Sequence, residues 1–151
     1  ATCMIIDNNN LLNRNDITNA TYETGENIFQ ALESLNNTST MNICVITGLG
    51  TLLKKLGLSE KEKLTTMLSQ STNTKYIIVD TIDNIKTLSY EAWFKGNTSL
   101  SEGIWLGNGI ANQFTLKVTT NSRILRAELE PNFGYAIKKG KAILVKLVTE
   151  P

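Results

Sequence analysis

The residues of this 151-residue chain that could hold a phosphate or a metal gather at two places. Ile43-Cys44-Val45-Ile46 runs into Thr47-Gly48-Leu49-Gly50 and then into TLLKKLG, the pattern by which a buried parallel strand hands over to a helix. Ligands of open parallel sheets bind beyond the carboxyl ends of the strands, so the polar groups at 47–51 are the first place to look for a site. They are hydroxyls and glycines, with no acid. The second place is Tyr76 to Val79, which ends in Asp80. A Walker B strand holds Mg²⁺ through an acid placed in that way. An Asp after a strand also serves as a loop or capping acid. Thr47, Gly48 and Asp80 are therefore the nucleotide-binding candidates, and no catalytic or metal-ligating set is assigned.

Several chemistries are excluded by what the chain lacks. It has no histidine, which removes Ser-His-Asp triads, Cys-His pairs and histidine-bearing zinc sites. A P-loop needs GxxxxGK[ST], so that backbone N–H groups wrap the phosphates while the lysine and hydroxyl reach the terminal phosphate and Mg²⁺; nothing here fits that spacing. Gly48-Leu49-Gly50, with Lys54 and Lys55 beyond, lacks the third glycine of a dinucleotide fingerprint, since Leu53 stands there. Cys3 and Cys44 are far apart and without CxxC spacing, as expected of buried free thiols in a reducing compartment. Lys and Arg total 15 against 14 for Asp and Glu, so double-stranded DNA is expected to bind weakly and without sequence preference. No apolar run approaches the roughly 18 to 20 residues of a membrane helix, and the piece itself reads as soluble.

The elements that would position these groups alternate. Thr2 to Ile6 reads as a strand ending at Asp7, and Leu11 to Thr21 as irregular or a short helical turn. Gly25 to Leu35 reads as a helix burying Ile28, Phe29, Leu32 and Leu35. Ser59-Glu60-Lys61-Glu62 has the capping-box pattern and opens a helix whose Leu64, Met67 and Leu68 face inward. After the Lys75-to-Asp80 strand, Asp83 and Asn84 are cap candidates for one helix carrying Ile85, Leu88, Tyr90, Trp93 and Phe94 to Gly96. Ile104 to Leu106 is a third apolar run, Gln113 to Thr119 alternates like a strand, and Arg123 to Leu129 suits a short helix or turn. The tail predicts a hairpin, Gly134 to Lys138 and Lys141 to Val148, across Lys139-Gly140. The expected fold class is α/β, one domain over 1–151, with a mostly parallel sheet flanked by helices and a C-terminal β-hairpin.

The ending NFGYAIKKGKAILVKLV, together with GIWLGNGIANQFTLKV and the strand order before it, resembles the close of FtsK/SpoIIIE-type translocase domains. Over its full length the chain is similar to the C-terminal ATPase-like module of type VIIb secretion coupling proteins. The resemblance implies a RecA/FtsK-like P-loop NTPase fold whose P-loop strand and helix would precede Ala1, in keeping with a chain that starts directly in a strand. It places the central strand at Walker B, where Thr47-Gly48 stands in place of the acids. A neutral hydroxyl cannot balance Mg²⁺ or polarise a water as a carboxylate does, so a degenerate ATPase is expected. ATP and Mg²⁺ would belong to the complete domain, and no cofactor to this fragment. The implied setting is the cytoplasmic end of a hexameric, membrane-anchored motor that engages preceding ATPase domains of the same chain, helical WXG-motif secreted proteins and larger effectors.

For those substrates the expected groove is Ile104, Trp105, Leu106 and Ile110, with Arg123 or Arg126 available for an acidic residue. Trp105 lies between Gly103 and Gly107, where the backbone is permissive, and one buried aromatic anchor is worth about 2 kcal/mol or more. In the alternative packing Trp105 closes the core under the terminal hairpin. Two other readings are an active nucleotide-hydrolysing translocase acting on DNA or protein, and a small dinucleotide-binding α/β domain. The missing Walker acids disfavour the first, and the missing third glycine disfavours the second.

Overall fold

The computed structural model describes residues 2–147, which divide into two compact units with the boundary between Asn97 and Thr98. The first is α/β. Strands β1 (Thr2–Asp7), β2 (Thr21–Thr24), β3 (Asn42–Thr47) and β4 (Thr74–Val79) form a wholly parallel sheet in the order β2-β1-β3-β4. β2 has no counterpart among the strands that the sequence predicts. Its TYET lacks an apolar run because it is a short edge strand.

Alternation along the strands separates the two faces of this sheet. Met4, Ile6, Cys44 and Ile46 are buried on one face, whereas Ile43, Ile77 and Val79 on the other are exposed. The buried face carries α1 (Ile28–Asn36), whose Ile28, Ala31, Leu32 and Leu35 fall at helical spacing and are all buried. Beside α1 packs α3 (Leu58–Gln70), which buries Leu64 and Leu68. α2 (Leu49–Lys55) leaves the end of β3 and packs on α4 (Ile82–Leu88).

Three local expectations need correction. The Ser59 capping box does not form: α3 starts two residues earlier than a Ser59 cap requires, after Gly57 and without a side-chain cap, so Ser59 lies inside its first turn. Asp83 and Asn84 are likewise inside α4, and its cap is Thr81, whose extended backbone lets Oγ1 accept the Asn84 N–H at 3.3 Å. The single helix expected to reach Gly96 is broken after Leu88, and α5 (Ala92–Asn97) resumes with Trp93 and Phe94 buried edge to face. Tyr90 falls in the break and is exposed.

The second unit has its own antiparallel sheet, β5 (Gly103–Leu106), β6 (Phe133–Lys138) and β7 (Lys141–Lys146), in the order β5-β6-β7. The predicted hairpin is present. Lys139 and Gly140 have φ of 50° and 81°, so both turn residues are left-handed, as a tight two-residue hairpin turn requires. Val148, the expected end of its second strand, lies outside the described residues. Ile110, Leu125, Tyr135 and Ile137 make a small core, with α6 (Ser122–Leu125) contributing one of them. The stretch from Gln113 to Thr119 is not a strand. Its Leu116 and Val118 pack on that core, while the Lys117 and Thr119 N–H groups donate to the Leu100 and Gly140 carbonyls.

Candidate functional site

β1 and β3 lie in register with Asp7 beside Thr47, so the carboxyl ends of the two central strands meet at the point where the strand order reverses. Asp7 is only 1% exposed. Its Oδ1 accepts the Thr47 hydroxyl at 2.6 Å and the Leu11 N–H at 3.2 Å. Its Oδ2 accepts the Leu12 N–H and the Tyr22 hydroxyl, each at 3.0 Å. An ionised carboxylate offers about four lone-pair sites, and all are taken. Burial pushes the Asp7 pKa up, but the bonds from Thr47, Leu12, Leu11 and Tyr22 together outweigh it and hold the group below its ordinary value. Tyr22 shifts the other way, raised by burial and then by its bond to Asp7.

The loop after β1 is strapped across this corner. The Asn8 backbone and side-chain N–H groups both donate to the Thr47 carbonyl, at 3.2 and 2.8 Å. Gly48 has φ +67°, and a Cβ there would stand 2.2 Å from the Asn9 carboxamide oxygen, so glycine is demanded by conformation and by space.

Asp80, the second acid of interest, is also occupied. Its Oδ2 accepts the Gly50 N–H at 2.8 Å, so it caps α2 from outside that helix. Its Oδ1 accepts the Thr81 N–H at 2.8 Å and the Asn84 Nδ2 at 2.7 Å. Asn84 in turn accepts from Lys54 Nζ at 3.3 Å and donates to the Thr51 hydroxyl at the same distance. The structure thus brings Thr47, Gly48 and Asp80 to one end of the sheet and engages each in hydrogen bonds within the fold. Tyr22 and Asn84 escaped sequence reasoning, because nothing local marks a tyrosine on an edge strand or an asparagine within a helix as partners of strand-end acids.

Other chemistry is equally muted. Burial, and then the neighbouring Cys3, push the Cys44 thiol up to about 12, so it carries no thiolate near neutrality. No group of three or more His, Cys, Asp or Glu among the described residues is arranged to hold a metal. A crevice of about 260 Å³ lies beneath α1, lined by Met4, Glu23, Ala31, Leu35 and Asn42 among others. That is just under the ~300 Å³ at which small-molecule pockets begin, and none of the nucleotide candidates lines it.

In the second unit strand alternation divides the expected groove. Trp105 packs against the small core and donates Nε1–H to the Asn108 carbonyl at 3.1 Å; Ile110 is 2% exposed within that core. Ile104 and Leu106 point to the opposite face of β5 and are exposed, as are Arg123 and Arg126. The four apolar residues therefore do not line a single groove. Among the described residues no helix is long and apolar enough to cross a membrane. Comparison with protein-family models, with curated proteins and with solved structures finds no match to this chain.

Proposed function

We propose that this chain is a non-hydrolysing, ATPase-like binding module of the FtsK/SpoIIIE type, acting as the terminal module of a type VII secretion coupling protein of the EssC kind. On this reading its fold is RecA/FtsK-like, it sits on the cytoplasmic side of a membrane-anchored hexamer, and it engages helical WXG-motif proteins and larger effectors for export. The observation that carries the non-hydrolysing part is the occupied state of both strand-end acids: Asp7 holds four donors and Asp80 three. Asp7 has no lone pair left to offer Mg²⁺, and Asp80 keeps one of about four. A site that must bind Mg²⁺ and polarise water keeps such acids available.

The experiment is phosphate release from MgATP by the purified chain, alongside capture of purified WXG-motif substrates. The expected outcome is capture without hydrolysis. Hydrolysis abolished by Asp80→Ala would instead establish the translocase reading. A second reading, a nucleotide-binding α/β domain, draws on the order β2-β1-β3-β4, which opens the flavodoxin-like order whose ligand sits at the β1/β3 switch point. Here Asp7, Thr47 and Asn8 fill that place with bonds to one another. Calorimetric titration with ATP, NAD and FMN separates the two, with no heat of binding expected.

A further inference from the structure

The antiparallel sheet of the second unit buries only one of its faces. Cross-strand partners share a face, so the register puts Ile104, Ala136 and Ile143 in one outward row and Leu106, Gly134 and Val145 in the next. Ile104, Leu106 and Ile143 are 64%, 60% and 59% exposed. The outward row beyond Ile143 is the pair Lys138 and Lys141, joined by Lys139 in the turn. From Phe133 to Lys146 the chain carries four lysines and no acid, within a protein whose net charge is only +1. The acid nearest the turn in the hydrogen-bond network, Glu102, accepts the Lys139 backbone N–H at 3.1 Å, and none of the three ammonium groups has a carboxylate partner among the described residues.

This surface restricts its occupant. A second copy laid face to face would bring the lysine rows together if its strands ran parallel and would leave them without carboxylate partners if they ran antiparallel, since this face carries no acid, and Lys141 and Lys146 on the edge strand β7 oppose strand-to-strand pairing as well. Single-stranded nucleic acid would find phosphate partners but no ring on this face on which to stack bases, and a duplex would leave the aliphatic rows beside the lysines uncovered. The occupant must therefore present apolar surface and negative charge together. Three strands about 4.8 Å apart make a face about 10 Å wide, the diameter of one helix. From the lysine row to the Leu106 row is four residues of strand, about 14 Å, or two to three helical turns.

We infer that the outward face of β5, β6 and β7 is a docking surface for one amphipathic α-helix whose apolar stripe lies on Ile104, Leu106, Ile143 and Val145 and whose carboxylates reach Lys138, Lys139 and Lys141. This rests on the binding-module reading and gives its partner a chemistry: an acidic amphipathic helix, held by the outward sheet face and not by Trp105.

The probe is a synthetic amphipathic helix with a leucine stripe and glutamates at one end, titrated into the full chain by fluorescence anisotropy. Saturable binding is expected, weakened about tenfold or more by Ile104→Asp with Ile143→Asp, and by the triple change Lys138→Glu, Lys139→Glu and Lys141→Glu. A peptide with lysines in place of the glutamates should recover binding to the triple variant. Both sites are on the surface, and unchanged circular dichroism of the variants confirms folding. No binding to the wild type, or binding indifferent to both variants, overturns the inference. So does tight binding to vesicles containing phosphatidylglycerol, or self-association, that the same variants abolish. Hydrolysis of ATP by the chain would remove the binding-module reading while leaving the peptide result standing, so the two fail separately.

Discussion

Thr47→Val tests whether the central strand ends hold the fold together and not a ligand. Thr47 is 3% exposed, and its hydroxyl donates to Asp7 Oδ1 at 2.6 Å. Valine keeps the shape and removes the donor, leaving a buried carboxylate one bond short. A hydrogen bond to a charged group contributes about 1.5–3 kcal/mol net, so a loss of about 2 kcal/mol is expected. At roughly 2–4 °C per kcal/mol for a chain of this size, the thermal midpoint at pH 7 falls by about 4–8 °C. The pH dependence has a defined sign. The Asp7 pKa is depressed in the folded state, so its stabilisation is present above the unfolded carboxylate value and is lost as pH falls through the folded value. The variant raises that folded pKa, and its acid limb of stability therefore moves to higher pH, whereas Thr47→Ser keeps the wild-type limb. Scanning calorimetry from pH 3 to 8 on the three proteins reads both effects. Unchanged midpoints and an unmoved acid limb for Thr47→Val would refute the reasoning.

Asp80→Ala removes the external cap of α2 and the Asn84 partner, so it should lower stability by about 0.5–2 kcal/mol in urea unfolding. Gly48→Ala forces a side chain into φ +67° against Asn9 and should cost more than the roughly 1–2 kcal/mol of a left-handed residue alone, read by the same denaturation curves. Cys44, its thiol pushed up to about 12 and buried, should resist iodoacetamide at pH 8 in the native protein and be alkylated only in denaturant, as mass spectrometry after digestion will record.

Strands β1, β3 and β4 and helix α1 were legible because their side chains carry the signal: continuous apolar runs for strands that bury one face and leave the other partly exposed, and Ile28, Leu32 and Leu35 at helical spacing. The hairpin was legible for the same reason, with alternation on either side of Lys139-Gly140. Helix starts were less so, because Ser59 and Thr81 look alike as caps and only the backbone path into α3 and α4 chooses between them. The absence of histidine and of a P-loop pattern excluded whole chemistries from composition and spacing alone. What Asp7 and Asp80 do could not be read, since their partners Thr47, Tyr22 and Gly50 lie 15 to 40 residues away and meet them only when the strands align. The same holds for the outward sheet face: Ile104 and Ile143 become neighbours only through the register of β6 between them, because burial and pairing belong to the assembled sheet and not to any stretch of chain.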